Sequence, residues 1–169
     1  MKRISFLLLV FAIVIAGFNS SQAQSQKERE ERAVIYATMQ FYSALEGKYK
    51  ENPEILSQMW SQGEDVTYMG VNGGYEVGWV EAYSQLQAQS SKYPSIKVQP
   101  TDLVVTVGPV LAVVHNYVEG VTGDAESAKG TNNIKLRATT VFRKENGKWK
   151  IIGHHVDDLP MIRLTRKSE

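Results

Sequence analysis

The segment richest in chemically active side chains is residues 137–160, near the C-terminus, where two short apolar stretches flank an Asn-Gly pair. Such a pair between two apolar stretches is typical of a β-hairpin. Arg137 opens the first stretch, and His155 and Asp157 close the second. A guanidinium offers a planar fork for a carboxylate or phosphate, and an imidazole changes charge near neutral pH. These residue types predict an anion site or an acid–base group at one end of the hairpin.

The length of the turn decides which side chains share a face, because side chains alternate along a β-strand. A two-residue loop, Asn146-Gly147, sets Thr139 opposite His154. A three-residue loop that starts at Glu145 shifts the pairing by one residue. The cross-strand pairs are then Arg137 with His155, Lys135 with Asp157, and Arg143 with Trp149. We favour the three-residue loop, because it gathers complementary groups on one face.

With that register, three side chains have separate expected roles. Arg137 anchors an anionic group, His155 acts as a general acid or base, and Asp157 fixes the imidazole tautomer. The alternative is an internal cluster of salt bridges and hydrogen bonds that only holds the strands together. A metal site is not expected. The adjacent residues His154 and His155 point to opposite faces of a strand, and only the distant His115 offers a third ligand.

These side chains belong to a chain of 169 residues with 43% hydrophobic and 22% charged content, which is the ordinary composition of one globular domain. Lys2 and Arg3 precede an apolar run and a polar stretch that ends at Ala23. This order is typical of a secretory signal, and the run is shorter than the roughly 20 residues of a membrane span. We expect a signal peptide over residues 1–23, cleavage after Ala23, and one domain over residues 24–169 in the periplasm or outside the cell.

Charge and cysteine content narrow the range of partners. Removing 23 residues, two of them basic, from 169 leaves 146 and changes the formal net charge from +1 to −1. A near-neutral chain gives no electrostatic reason to expect nucleic acid or, after signal cleavage, a membrane as partner. The chain has no cysteine, which rules out disulfides and cysteine-type metal sites. No cofactor is expected, since the Gly-rich stretch 70–78 lacks the Gly-Lys-Ser/Thr ending of a phosphate loop.

The elements that must position the hairpin are helices first and strands afterwards. Apolar residues at helical spacing predict a helix from Gln26 to Leu45, and Asn52-Pro53 opens a second, short helix. A strand pair, residues 66–69 and 75–78, precedes a third helix from Trp79 to Ser90. Strands rich in Val, Thr and Ile follow at 97–107, 110–121, 135–143 and 149–157. This order predicts an α+β domain with helices packed on one face of a curved sheet.

Several motifs along this order of elements resemble those of a known family. They are Phe41-Tyr42-Ser43-Ala44-Leu45 in the first helix, Gly78-Trp79 at the start of the third, and, in the final hairpin, Arg137-x-Thr139-x-Val141-Phe142 and Asn146-Gly147-x-Trp149-x-Ile151-x-x-x-His155. In these motifs the chain is similar to SnoaL-like domains of the nuclear transport factor 2-like superfamily. The likeness covers nearly all of residues 24–169. The final hairpin is its most specific part and also resembles the association domain of calcium/calmodulin-dependent protein kinase II.

The resemblance implies a cone-shaped fold, in which a strongly curved mixed or antiparallel sheet wraps a long helix and leaves a pocket at its open end. It implies that the arginine and histidine matching Arg137 and His155 look into that pocket, and that a homodimer forms through the outer sheet face. Core aromatic residues and one further histidine are then candidates for the pocket wall. These candidates are Trp60, Tyr68, Trp79, His115 and Tyr117.

The resemblance names a fold more securely than an activity, because the superfamily holds isomerases, dehydratases, cyclases, epoxide hydrolases and proteins without catalysis. Ketosteroid isomerases place a tyrosine and an aspartate where this chain has Phe41 and Met69, so that activity is not expected. Three hypotheses stay open. The first is an exported protein that binds a small anionic or carboxylate-bearing molecule, and the second is a lyase, isomerase or hydrolase with His155 as general acid or base. The third is a non-catalytic dimerisation scaffold. We favour binding.

Overall fold

The computed structural model describes residues 2–48, 54–71, 73–92, 96–122 and 132–158. Within these ranges, helices come first and long strands follow, as the sequence predicts. The Asn52-Pro53 start predicted for the second helix lies outside the described residues. No helix among the described residues is both long enough and apolar enough to cross a membrane.

The helical layer is built around one long helix. Its members are α1 (Lys2–Ser43), which continues as a π-helix (Ala44–Lys48), α2 (Glu54–Met59) and α3 (Trp79–Lys92). Helix α1 therefore begins well before Gln26, the predicted start. Val34, Thr38 and Phe41 are fully buried on one side of it, at the spacing that aligns side chains along a helix. The Thr38 hydroxyl donates to the carbonyl of Val34 at 2.9 Å, so this polar side chain is satisfied within the helix.

The second layer is a six-stranded mixed sheet. Its strands are β1 (Thr67–Met69), β2 (Glu76–Val77), β3 (Lys97–Val107), β4 (Leu111–Thr122), β5 (Asn132–Glu145) and β6 (Lys148–Asp158). They lie in the order β2-β1-β6-β5-β4-β3, with β1 parallel to β6 and every other neighbour antiparallel. The four long strands form a continuous meander, and its inner face packs on α1. The fold is α+β, as predicted.

The turn between β5 and β6 has two residues, so the prediction of a three-residue loop is wrong. Glu145 pairs with Lys148, and only Asn146 and Gly147 lie between them. Their φ angles are 50° and 78°. A turn with positive φ at both central positions matches the twist of paired strands and favours Asn-Gly. The pairs predicted from the longer loop are therefore absent, and Arg143 faces Lys150 rather than Trp149.

A β-bulge in β6 changes the pairing again further along the hairpin. Phe142 pairs with Ile151 but Val141 pairs with Gly153, so Ile152 is an extra residue on β6. An extra residue reverses the alternation of side chains beyond it. As a result His154 lies on the inner face of the sheet, where it is 5% exposed, and His155 lies on the outer face, where it is exposed.

Two ionic contacts attach the hairpin to the rest of the fold. Glu30 of α1 accepts hydrogen bonds from Lys144 Nζ at 2.5 Å and from Trp149 Nε1 at 2.9 Å. Arg143 pairs with Asp65, in the loop before β1, and its Nη2 donates to Ser61 Oγ at 3.2 Å. The first contact holds α1 against the part of the hairpin next to its turn. The second holds the segment that leads into β1.

Candidate ligand-binding cavity

A cavity of about 400 Å³ lies between the helices and the inner face of the sheet. This volume falls in the range of small-molecule sites. Its wall is mainly apolar and aromatic, with a few polar side chains. The lining residues are Phe41, Tyr42, Leu45, Tyr68, Val71, Leu86, Gln89, Ser90, Ile96, Val98, Val118, Asn133, Ile134, Lys135, Leu136, His154, Val156 and Asp158.

The imidazole of His154 is surrounded by aromatic rings. Tyr68 stacks on it with ring centroids 6.1 Å apart, and Phe41 meets it edge-on at 5.0 Å. The parallel pairing of β1 with β6 sets Tyr68 directly beside His154. Tyr42 lies on the same side, 6.4 Å from the imidazole. The histidine is therefore held in one position by rings from α1 and β1.

Burial keeps His154 uncharged. Loss of water around the ring, helped by the neighbouring His155, lowers the pKa of His154 to about 3. Its Nδ1 lies 2.9 Å from the hydroxyl of Thr140, a buried residue of β5. Within the described residues, Nε2 has no hydrogen-bond partner, and the ring lines the cavity. One ring nitrogen is thus available to a ligand.

The two tyrosines of the cavity are also uncharged at neutral pH. Burial raises the pKa of Tyr42 to about 12, against the opposing effect of a hydrogen bond from Asn116. Burial likewise raises the pKa of Tyr68, whose hydroxyl donates to Gln89 Oε1 at 2.6 Å. The polar groups that reach the cavity from α1, α3 and β1 are therefore neutral hydrogen-bonding groups.

Gly70 makes room for the Gln89 side chain. A Cβ at this position would lie 2.1 Å from Gln89 Nε2 and 3.1 Å from the Tyr68 hydroxyl. Any larger residue would displace the amide, because two heavy atoms cannot approach that closely. The missing side chain at Gly70 is what lets Gln89 reach Tyr68 and close this part of the cavity wall.

Of the predicted wall residues inside the cone, only Tyr68 lines the cavity. Trp60 is buried and packs 6.2 Å from Tyr68 and 6.0 Å from Trp79, ring to ring. Trp79 in turn packs 5.0 Å from Tyr83. Trp60 and Trp79 therefore belong to the aromatic core behind the wall rather than to its surface, which is the commoner place for large rings.

The remaining predicted site residues lie on the opposite face of the sheet, so their expected position in the cone pocket is wrong. They are Arg137, His155, Asp157, His115 and Tyr117, which border a groove of about 460 Å³ on the outer face. The structure does bring these five together there. Side chains alternate between the two faces of the sheet along each strand. Since Asn116, Ala138 and Thr140 face inward, their neighbours on β4 and β5 face outward.

Arg137 is already paired on that outer face. Its Nη2 lies 2.5 Å from Asp157 Oδ2 and its Nε lies 3.2 Å from Oδ1, a two-point contact between side chains that are 53% and 40% exposed. Asp157 thus contacts Arg137 and not His155. Lys135, which was expected opposite Asp157, binds Glu119 at 2.9 Å. His115 Nδ1 lies 3.0 Å from the Thr139 hydroxyl. Whether this groove binds a ligand stays a prediction.

Sequence reasoning missed Tyr42, Gln89 and His154, which line the cavity, and Thr140, which contacts the His154 imidazole. With His155 expected in the pocket, His154 was expected on the opposite face of the strand, because the bulge that turns it inward was not recognised. Tyr42 widened the apolar stripe of α1, but nothing in the sequence marked its hydroxyl as accessible. In the described part of the chain, no three His, Asp or Glu side chains lie close enough to share a metal ion.

Comparisons with known proteins identify the family. The sequence pattern of the SnoaL-like domain matches residues 35–158. The chain therefore belongs to the SnoaL-like domain family. No curated protein sequence matches the chain at a significant level.

Solved structures of other proteins share the fold described above for this chain. A proposed dehydratase of the NTF2-like family from Streptomyces avermitilis is 22% identical, with a TM-score of 0.68 over 78% of this chain and 97% of that one. A proposed scytalone dehydratase from Novosphingobium aromaticivorans has 14% identity and a TM-score of 0.68 over 80% and 88%. An NTF2-like superfamily protein from Salmonella enterica serovar Typhimurium has 14% identity and a TM-score of 0.66 over 86% and 99%. The fold is that of the nuclear transport factor 2-like superfamily.

Proposed function

We propose that this protein binds a small, uncharged and largely apolar molecule in the cone cavity. One observation carries the proposal: a cavity of about 400 Å³ has an apolar and aromatic wall in which Tyr42 and His154 are neutral at physiological pH. A site of this composition takes its affinity from apolar contact and its specificity from a few polar groups. Two structural relatives, from Streptomyces avermitilis and Novosphingobium aromaticivorans, are described as proposed dehydratases.

This proposal replaces the anionic ligand expected from the sequence. That expectation depended on Arg137 as an anchor inside the pocket, and the guanidinium lies on the other face of the sheet, paired with Asp157. Two charged residues border the cavity, Lys135 and Asp158, and both are exposed. The amino group of Lys135 is held by Glu119. A buried carboxylate without a cation is costly, so an uncharged ligand fits better.

Two variants separate the cavity from the outer groove. Val118→Phe fills the cavity, and Val104→Phe adds the same side chain in the groove. We expect neutral two-ring aromatic probes to raise the melting temperature of the wild type and of Val104→Phe, but not of Val118→Phe. A probe at 100 times its dissociation constant adds about 2.7 kcal/mol. Stabilisation that survives in Val118→Phe and disappears in Val104→Phe would move the site to the groove and overturn the proposal.

Catalysis in the same cavity is a second candidate, favoured by the unpartnered Nε2 of His154. His154 takes the place of His155, the expected acid or base, because only His154 reaches the cavity. Binding ranks above catalysis. Among the described lining residues the only carboxylate is that of Asp158, which is exposed, and proton transfer needs a partner of suitable pKa. Turnover of any bound probe by the wild type, lost in His154→Gln, would reverse this ranking.

We also propose that the protein is exported. The basic start, apolar run and Ala23 site predict a signal peptide. Side chains 22–29 are exposed, and the first partly buried side chain after them is Glu30. Cleavage after Ala23 would therefore keep Glu30 and its contacts with Lys144 and Trp149. The mass of protein recovered from the periplasm or medium of an expression host should match a chain starting at Gln24. Recovery of an uncleaved chain in the cytoplasm would contradict export.

A further inference from the structure

The hydroxyl of Thr140 and the imidazole of His154 share one hydrogen bond, and its direction determines where the imidazole proton lies. Oγ1 and Nδ1 are 2.9 Å apart, which is compatible with donation either way. Both residues are buried, Thr140 at 0% and His154 at 5% exposure. A neutral imidazole carries one proton, on Nδ1 or on Nε2, and the other nitrogen accepts.

The two arrangements differ in what they leave unsatisfied. If Nδ1 carries the proton, it donates to Oγ1, and the Thr140 hydroxyl must find another acceptor. Among the described residues Oγ1 has no second partner, so its proton would be buried without one. If the hydroxyl donates to Nδ1, the imidazole proton lies on Nε2. Both groups of the shared bond are then satisfied, and the Nε2–H is left for water or a ligand in the cavity that the ring lines.

The remaining arrangement, a doubly protonated ring, is excluded by the surroundings of His154. The side chains that face it are the rings of Phe41, Tyr42 and Tyr68, which are uncharged at neutral pH. No carboxylate contacts it in the part of the chain that the structure describes. A buried cation without a counter-charge is strongly disfavoured.

We infer that Thr140 fixes His154 as the Nε2–H tautomer, so that the cavity presents a neutral hydrogen-bond donor. The cavity then selects an uncharged ligand with an acceptor oxygen, such as a ketone carbonyl. This ligand preference rests on the proposed function, whereas the tautomer does not. Thr140 acts as a positioning residue, since it reaches the ligand only through the imidazole.

The Nε2–H tautomer determines whether the imidazole of His154 can donate or accept a hydrogen bond in the cavity. An Nε2–H can donate to a carbonyl oxygen and polarise it, as a preorganised donor does for developing negative charge. It has no lone pair at Nε2 with which to accept a proton from the ligand. In this state the residue is a hydrogen-bond donor rather than a general base.

The tautomer is measurable without a ligand. In ¹⁵N-histidine-labelled protein at neutral pH, we expect a pyrrole-type shift for Nε2 of His154 and a pyridine-type shift for Nδ1. Thr140→Val keeps the shape of the side chain but removes the hydroxyl group that donates to Nδ1. This variant should give a mixture of the two tautomers. Thr140→Ser restores the hydroxyl and should restore the single tautomer. His155, exposed on the other face, is the control and should not respond.

Two results would overturn the assignment. One is a wild-type spectrum with the proton on Nδ1 of His154, which needs no variant and stands even if Thr140→Val does not fold. The other is an unchanged single tautomer in a folded Thr140→Val protein, which would mean that Thr140 does not set it.

The ligand preference is tested with three probes of nearly equal shape: 2-acetylnaphthalene, 2-isopropenylnaphthalene and 2-naphthoate. By calorimetry we expect the ketone to bind about tenfold more tightly than the hydrocarbon, because one hydrogen bond distinguishes them. This ratio should fall about twofold in Thr140→Val, because the ketone must then select the Nε2–H form from a mixture of tautomers. Equal binding of ketone and hydrocarbon in the wild type overturns the acceptor preference but leaves cavity binding. Failure of all three to bind overturns the proposed function and the preference together.

Discussion

At the scale of single residues, His154 and His155 show how far the environment sets the chemistry of one residue type. They are adjacent in the chain, yet one is stacked on Tyr68 in the cavity wall and the other is exposed in the outer groove. Burial lowers the pKa of His154 from 6.5 to about 3. The contribution of His154 to stability therefore depends on pH.

We expect the wild type to lose stability as the pH falls from about 6.5 towards 4, and His154→Gln to lose less. In the unfolded chain His154 takes up a proton near pH 6.5, whereas in the folded chain it does so only near pH 3. Between these values the unfolded state binds more protons, so acidification favours it, by up to about 1.4 kcal/mol per pH unit. Urea unfolding at several pH values measures the slope.

The matched control is His155→Gln, which removes the neighbouring exposed imidazole. It should keep most of the wild-type slope, because His155 is exposed on the other face of the sheet and its removal leaves His154 buried. Glu30 and Asp65, whose pKa values are lowered by contacts with Lys144 and Arg143, add their own acid sensitivity at lower pH in all three proteins. Equal slopes in the two histidine variants would contradict a neutral, buried His154.

At the scale of elements, the sequence predicted which segments fold into helices and strands. The alternation of β-branched residues placed the four long strands of the meander within a few residues of their observed ends. Asn146-Gly147 placed the hairpin. The pocket residues were predicted less well. The length of the turn and a bulge at Ile152 together decide which side chains of β6 point to the inner face of the sheet. A bulge depends on tertiary packing and leaves no clear mark in composition.

Glu30→Ala should lower the free energy of unfolding by about 2 kcal/mol, because it leaves the Trp149 indole nitrogen without its acceptor and the Lys144 ammonium without its partner. The side chain of Glu30 is only 18% exposed, so water cannot fully replace these contacts. Chemical denaturation of residues 24–169 measures the change.

Glu31→Ala is the control for this prediction. The neighbouring carboxylate has no hydrogen bond or ion pair within the described residues, and its removal should change stability by less than about 0.5 kcal/mol. Equal effects of the two substitutions would mean that the contact between α1 and the hairpin does not stabilise the fold.

At the scale of the whole molecule, the outer face of the sheet is the surface proposed to form a homodimer. It exposes Val104 (62%) in the groove with the ion pair of Arg137 and Asp157, and Leu111 (48%) further along β4. Exposed apolar groups rimmed by paired charges are typical of contact surfaces between proteins.

Val104→Asp should weaken the dimer of residues 24–169 by about 100-fold, since an unpaired carboxylate in an apolar contact costs several kcal/mol. Sedimentation velocity over a range of concentrations measures the dissociation constant. Val80→Asp is the control, because Val80 is 73% exposed on α3, away from the strands of the outer face. A monomeric wild type, or a dimer that only Val80→Asp weakens, would exclude the outer face as the interface.

The bulge in β6 also affects how proteins of this fold can change in length during evolution. Ile152 is the single extra residue between the pairs Phe142–Ile151 and Val141–Gly153. Loss of one codon there would remove the bulge but leave His154 opposite Thr140 on the inner face, because every pair beyond the bulge is kept. The positions that follow on the strand would likewise keep their partners and their sides. Related genes that differ by one codon at this point can therefore present the same cavity wall from strands of different length.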